Sequence, residues 1–141
     1  MQREFGLLDF MVRWALGQLI VLGAYNPFSM SYFHWVLDHE GQLSLKVLFG
    51  VGLVVLHVIA ILATIRSLGL IGVGLLTAFF ASAAWVLIDG RLLDIEDPGM
   101  FQLTLLLIGG TIYGAGLSWS HLRNRISGQV DSRDVSQNSP I

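Results

Sequence analysis

The segment Leu68–Ile88 contains about 21 residues and no charged side chain. Two apolar runs of similar length, Leu43–Ile65 and Met100–Trp119, flank it. A helix of about 20 residues spans the roughly 30 Å hydrocarbon core of a bilayer. Three such runs leave little of a 141-residue chain for a soluble domain. The pattern therefore predicts an integral membrane protein that contacts the lipid bilayer.

The composition agrees and excludes several functions. Hydrophobic residues make up 54% of the chain and charged residues 13%, with a mean hydropathy of +0.68, whereas soluble domains carry about 25% charged residues. The net charge of -2 argues against a nucleic-acid partner. Without cysteine, disulfides, thiolate metal sites and cysteine nucleophiles are excluded. The sequence lacks HExxH, GxSxG and phosphate-binding glycine-loop motifs, so we expect neither enzyme activity nor a cofactor.

The first apolar segment, Leu7–Tyr25, contains Asp9, Arg13 and Gln18. A signal peptide is disfavoured because its apolar region would not carry Asp and Arg, and no small-x-small cleavage site precedes Asn26. An interfacial helix is disfavoured because Asp9 and Gln18 fall on opposite faces at about 100° per residue. We therefore expect a fourth spanning helix, and the fold class is all-α, a four-helix antiparallel transmembrane bundle.

The spans, at about 7–25, 43–65, 68–88 and 100–119, form one predicted domain, residues 1–126. Arg66 and Ser67 are expected to form a tight turn that makes the second and third spans antiparallel neighbours. The mixed aromatic and polar residues from Pro27 to His39 predict a short interfacial helix after the first span. The polar tail, residues 127–141, is expected to be disordered and cytoplasmic.

Charge in the loops predicts the orientation. One side of the four-span arrangement carries Arg3, Arg13, Arg66, Arg123 and Arg125. The other side carries Lys46 and Arg91 together with the acidic residues Asp38, Glu40, Asp89, Asp94, Glu96 and Asp97. The positive-inside rule then places both termini in the cytoplasm.

Two rows of small residues at four-residue spacing are candidates for helix packing, since small side chains let helix backbones approach in lipid. The third span contributes Gly74, Ala78 and Ser82, and the fourth contributes Gly110, Gly114 and Ser118. We expect the two rows to pack against each other, with a homodimer seam as the alternative.

Polar residues inside the spans are the candidate functional groups. Counting along the helices places His57 near the bilayer midplane, at a depth shared with Gln18, Thr77, Thr111 and Tyr113. This layer suits either a proton relay or a neutral histidine that holds the bundle in register. Asp9 and Arg13 have the i, i+4 spacing of an ion pair, which would serve insertion or act as a gate.

The loop residues His34, Asp38 and His39 are weak candidates for metal ligands, since His34 and Asp38 lie one helical turn apart. A third ligand would have to come from the other acidic loop, so solvated loop charges are the simpler interpretation.

The motif Tyr25-Asn26-Pro27, followed by Ser31-Tyr32-Phe33-His34-Trp35, resembles a family of small four-helix bacterial inner-membrane proteins of unassigned function. The resemblance implies a bacterial cytoplasmic membrane and this topology, and it implies no activity. Small multidrug exporters share the size and span count, but they need a deep glutamate in the first helix, which this sequence lacks.

Two functional hypotheses follow. The first is a non-enzymatic structural or accessory subunit that packs against a larger membrane complex or against itself. The second is a small oligomeric transporter or proton-linked carrier that uses His57 and Arg13. Short loops, small-residue rows and the lack of a deep carboxylate favour the first.

Overall fold

The structure, a computed structural model, describes residues 6–127 and their side chains through residue 119. Four helices follow one another within this range: α1 (Leu7–Ala24), α2 (Tyr32–Leu37), α3 (Leu43–Asp89) and α4 (Pro98–Ser127). The range contains no strand, so the predicted all-helical fold is confirmed. The predicted disordered tail beyond Ser127 lies outside the described residues.

Three of these helices are long and apolar enough to cross a membrane: α1, α3 and residues 98–119 of α4. Helix α3 has 47 residues, which at about 1.5 Å per residue would make a straight helix of about 70 Å. That length is more than twice the thickness of a bilayer core. The long helix is interrupted, however, at one residue.

Gly69 interrupts α3 with φ +70° and ψ 167°, a backbone conformation outside the helical region. Residues with side chains rarely adopt this conformation, and glycine does so without steric cost. The interruption divides α3 into a first half, residues 43–68, and a second half, residues 70–89. The predicted turn at Arg66 and Ser67 is therefore wrong in position, because the helix continues through both residues and breaks only at the glycine.

Both halves of α3 lie beside α4. The first half runs parallel to α4, and the second half runs antiparallel to it. In the first half, His57 contacts Tyr113 and Thr64 contacts Gly116, so residue numbers rise together. In the second half, α3 and α4 share a cleft that is also lined by Leu93 and Ile95 of the connection between them. Because this short connection, residues 90–97, joins the end of α3 to the start of α4, the two segments run in opposite directions along the cleft. The chain thus reverses at Gly69.

Helix α1 runs antiparallel to α4. The side chain of Trp14 bonds to Thr111, that of Gln18 to the Leu107 carbonyl, and that of Tyr25 to Gln102. At the end of this pair, Gly99 lies near Pro27. We call this end, which carries residues 25–42 and 90–97, the loop end.

Two predicted boundaries are refined at the loop end. Helix α4 begins at Pro98, two residues before the predicted span at 100–119. The Asp97 carboxylate accepts hydrogen bonds from the backbone N–H groups of Gly99 and Met100, at 2.9 and 3.4 Å. The short helix expected from Pro27 to His39 is smaller than predicted, since α2 has only six residues. Ser29, at φ +60°, keeps the preceding residues in a turn.

The interior of the fold is made of small and polar residues. Among the described side chains, Ala60 is the one apolar side chain in the buried class, whereas Gln18, Thr64 and Ser118 are buried polar ones. None of the described large aliphatic and aromatic side chains of α1, α3 and α4 is in the buried class, and many of them are exposed. A water-soluble protein shows the opposite distribution.

We expect Gly69→Ala to lower the free energy of unfolding by about 1–3 kcal/mol, because a Cβ is strained at this backbone conformation. Unfolding in mixed micelles by increasing fractions of SDS, followed by far-UV circular dichroism, measures the effect. Gly52→Ala is the matched control, since Gly52 is also in α3 and has open space around it. Equal stability of the two variants would contradict the assigned role of Gly69.

Candidate functional site

The backbones of helices α1 and α4 approach each other closely at three glycines. A methyl group on Gly17 would lie 2.5 Å from the Gly110 carbonyl oxygen and 2.9 Å from the Gly114 nitrogen. A methyl group on Gly114 would lie 2.7 Å from the Trp14 Cα. Side chains larger than hydrogen do not fit at these positions, so the seam depends on glycine at each of them.

The small-residue rows therefore pair differently from the prediction. Gly110 and Gly114 face α1, and the row of Gly74, Ala78 and Ser82 on the second half of α3 is exposed. A methyl group on Gly74 would have no atom within 4 Å. The expected contact between the two rows is wrong because Gly17, a single glycine on α1, occupies the α4 row instead.

A second close seam joins α4 to the first half of α3. A methyl group on Gly116 would lie 2.7 Å from the Cα of Thr64. Thr64 is buried, and its hydroxyl donates to the Ala60 carbonyl at 2.7 Å. Ser118, which the sequence placed in the α4 row, is fully buried and its Oγ has no hydrogen-bond partner. Sequence reasoning missed Gly116 because it does not share the four-residue spacing of Gly110 and Gly114.

A polar cluster lies within the α1–α4 seam. The Gln18 side-chain amide donates to the Leu107 carbonyl and to the Thr111 hydroxyl, each at 3.1 Å. The Trp14 indole N–H also donates to the Thr111 hydroxyl at 3.1 Å, and this hydroxyl donates to Leu107 at 2.7 Å. The Gln18 Oε1 is buried without a hydrogen-bond partner. The structure thus brings Gln18 and Thr111 together, as the predicted layer requires.

The other residues of that layer lie elsewhere. The His57 ring contacts Tyr113 edge to face with centroids 6.1 Å apart, and its Nδ1 lies 2.8 Å from the Leu53 carbonyl oxygen. Thr77 is exposed and donates to the Val73 carbonyl of its own helix. The predicted layer is therefore not continuous. On α4, Thr111 faces α1, whereas Tyr113 faces the first half of α3.

At the opposite end of α1, Asp9 accepts a hydrogen bond from the Gly6 N–H at 2.9 Å and so caps the start of the helix. Arg13 is half-buried one turn further along. The ion pair between Asp9 and Arg13 stays a prediction.

The loop end is organised by the buried amide of Asn26. Its nitrogen donates to the carbonyls of Leu22 and Met30, at 3.0 and 2.9 Å. Its oxygen accepts from the backbone N–H groups of Phe28 and Met30, at 3.0 and 3.3 Å. One side chain thus closes the turn between α1 and α2.

Two tyrosines, Tyr25 and Tyr32, fix α2 to its neighbours. Tyr25 stacks on His34 with ring centroids 5.6 Å apart, and its hydroxyl donates to Gln102 on α4 at 2.8 Å. His34 Nδ1 also lies 2.8 Å from the Ser31 Oγ. Tyr32 donates to the Lys46 carbonyl on α3 at 2.6 Å. These side chains belong to the motif that the sequence singled out, and they hold α1, α2, α3 and α4 together.

Lys46 is buried beside α2. Its Nζ lies 5.8 Å from the centroid of the Trp35 ring and donates to the Asp38 carbonyl oxygen. Stacking of an ammonium on an aromatic face offsets part of its desolvation. Between α1, α2 and α3 an open groove of about 760 Å³ is lined in part by His34, Trp35 and Asp38.

A metal site does not assemble from these loop residues. Nowhere in the described part of the chain do three His, Cys, Asp or Glu side chains lie together so as to hold a metal ion. His34 and Asp38 line the open groove, and no third ligand from the second acidic loop joins them.

Residues 8–137 match the family of unknown function DUF6524, so the chain belongs to this family. This agrees with the resemblance to an uncharacterised family. No curated protein and no solved structure matches the chain.

We expect Gly114→Ala to lower the free energy of unfolding by about 2–4 kcal/mol, because the new methyl group forces two backbones apart in a packed seam. Gly109→Ala is the control: it lies on the same helix, and a methyl group there would have no atom within 4 Å. Denaturation by SDS measures both variants, and an equal loss of stability in both would contradict the seam.

Proposed function

We propose that the chain is a multi-pass membrane protein of a bacterial cytoplasmic membrane, with four crossings and both termini in the cytoplasm. The distribution of side chains supports the membrane location: apart from Ala60, the buried residues are glycines and polar residues, whereas many large apolar side chains are exposed. Burying these outward side chains in lipid removes them from water, which is favourable in proportion to their area.

Four crossings are proposed because each half of α3 is long enough for one. Residues 43–68 and 70–89 would extend about 39 Å and 30 Å as helices, against a hydrocarbon core of roughly 30 Å. The reversal at Gly69 returns the chain to the side on which it entered. The loop end, rich in Asp and Glu, is then outside.

Within the membrane we propose a non-enzymatic accessory role, in which the chain packs against a larger membrane complex. The observation that supports this role is the exposed row of Gly74, Ala78 and Ser82. In lipid, such rows are typical of helix–helix contacts because they permit close backbone approach. The α4 row packs against α1 of the same chain, whereas the α3 row is exposed and would contact the partner.

A carrier is the weaker proposal for a single copy. The central polar groups Gln18, Trp14 and Thr111 bond to one another inside a seam too close for a methyl group. A solute path would have to form between copies.

We expect Gly74→Leu to lower the yield of the stoichiometric partner at least about tenfold on purification in mild detergent, because a large side chain disrupts a small-residue contact. Mass spectrometry of the co-purified proteins measures the yield. Gly52→Leu is the matched control, since Gly52 is also helical with open space around it. His57→Leu should likewise retain the partner.

A lone homo-oligomer without a second protein would contradict the accessory role and favour the carrier. Equal loss of the partner in Gly74→Leu and Gly52→Leu would exclude the Gly74 row as the contact.

A further inference from the structure

An apolar cleft of about 540 Å³ lies between the second half of α3 and the first half of α4. Its lining includes Ala81, Ala84, Trp85, Phe101, Leu105 and Ile108. This volume lies in the range of about 300–1,000 Å³ that is usual for small-molecule sites. Thr77 and Thr104 also line it, but their hydroxyls donate to carbonyls of their own helices. The cleft therefore suits an apolar ligand.

The dimensions of the cleft indicate which apolar ligand fits. Its lining on α3 extends from Ile88 to Thr77, a distance of about 16 Å along a helix. This is about half the thickness of a roughly 30 Å hydrocarbon core. The cleft begins at the loop end, so it covers the depth of one leaflet, which is the depth that one lipid acyl chain occupies.

A polar pocket of about 450 Å³ adjoins the cleft at the loop end. Ile88, Leu93 and Ile95 line both cavities, so the two lie side by side. The polar pocket adds three exposed charged residues, Arg91, Asp94 and Glu96.

The turn after α3 brings these three residues to one pocket. Arg91 has φ +55°, and its N–H donates to the Ile88 carbonyl at 3.0 Å. Asp94 Oδ1 accepts from the Glu96 N–H at 2.9 Å. One cation and two carboxylates thus border the same pocket.

From this arrangement we infer a binding site for a phospholipid with an amine headgroup, an inference that rests on the proposed membrane location. One acyl chain occupies the cleft. Arg91 pairs with the phosphate, and Asp94 or Glu96 pairs with the headgroup ammonium. A phosphoglycerol headgroup has no cation, so it would leave both carboxylates facing a negative charge.

The test is native mass spectrometry of the full chain in mild detergent, with equal amounts of dioleoyl phosphatidylethanolamine and dioleoyl phosphatidylglycerol. We expect the bound ethanolamine lipid to exceed the glycerol lipid about fivefold, the scale of one or two exposed charge pairs. The double variant Asp94→Asn, Glu96→Gln should bring the ratio close to one, since it removes both negative charges.

The matched control is Asp38→Asn, Glu40→Gln, because Asp38 accepts from the Glu40 N–H in the other loop just as Asp94 does from Glu96. This control should keep the lipid preference. Ala84→Trp should fill the cleft and lower binding of both lipids, with unchanged helical circular dichroism.

Equal binding of the two lipids by the unmodified chain, or an unchanged preference after Asp94→Asn, Glu96→Gln, would overturn the lipid site. Extraction of native membranes with alkaline carbonate separates the two proposals. A chain that is released refutes the membrane location and the lipid site with it, whereas a chain that stays embedded but binds both lipids equally refutes the lipid site alone.

Discussion

The backbone contact between α1 and α4 is the constraint on which the other contacts of α4 depend. At Gly17, Gly110 and Gly114 the two helices are too close for any side chain, so the distance between them and the offset of one along the other are fixed within narrow limits. This offset determines which polar groups meet: the Gln18 amide reaches Thr111, and the Tyr25 hydroxyl reaches Gln102 at the loop end. The register of α4 then determines where α3 packs on its remaining faces.

In the proposed membrane location, polar groups would contribute to packing because lipid provides no hydrophobic driving force between apolar side chains. Hydrogen bonds between transmembrane helices are generally modest, about 0.6–2 kcal/mol each, so close backbone packing must accompany them. The chain combines the two at one level, where Gln18 bonds across the seam beside Gly110. At the loop end Asn26 closes the α1–α2 turn with four bonds, and Tyr32 ties α2 to α3.

Hydropathy predicted much of the helix layout, since it is a local property of the sequence. The apolar run Met100–Trp119 is one example, because it lies within α4. Which faces meet is not local. Gly17 has no spaced partner on α1, so nothing in the sequence marks it as the residue that fills the Gly110 and Gly114 row. The sequence likewise does not distinguish Gly69 from the nearby glycines, and only its backbone conformation in the structure does so.

The buried residues of α3 all lie in its first half. The second half carries the exposed small-residue row and one wall of the apolar cleft, and these two features are adjacent. At about 100° per residue, the row containing Ala78 and Ser82 borders the cleft face containing Thr77 and Ala81. A lipid seated in the cleft would therefore lie along the edge of any helix packed on the row. It would add apolar contact area to that interface and hold its headgroup near Arg91. Under this arrangement the lipid and the partner helix share one binding surface, so each would strengthen the binding of the other.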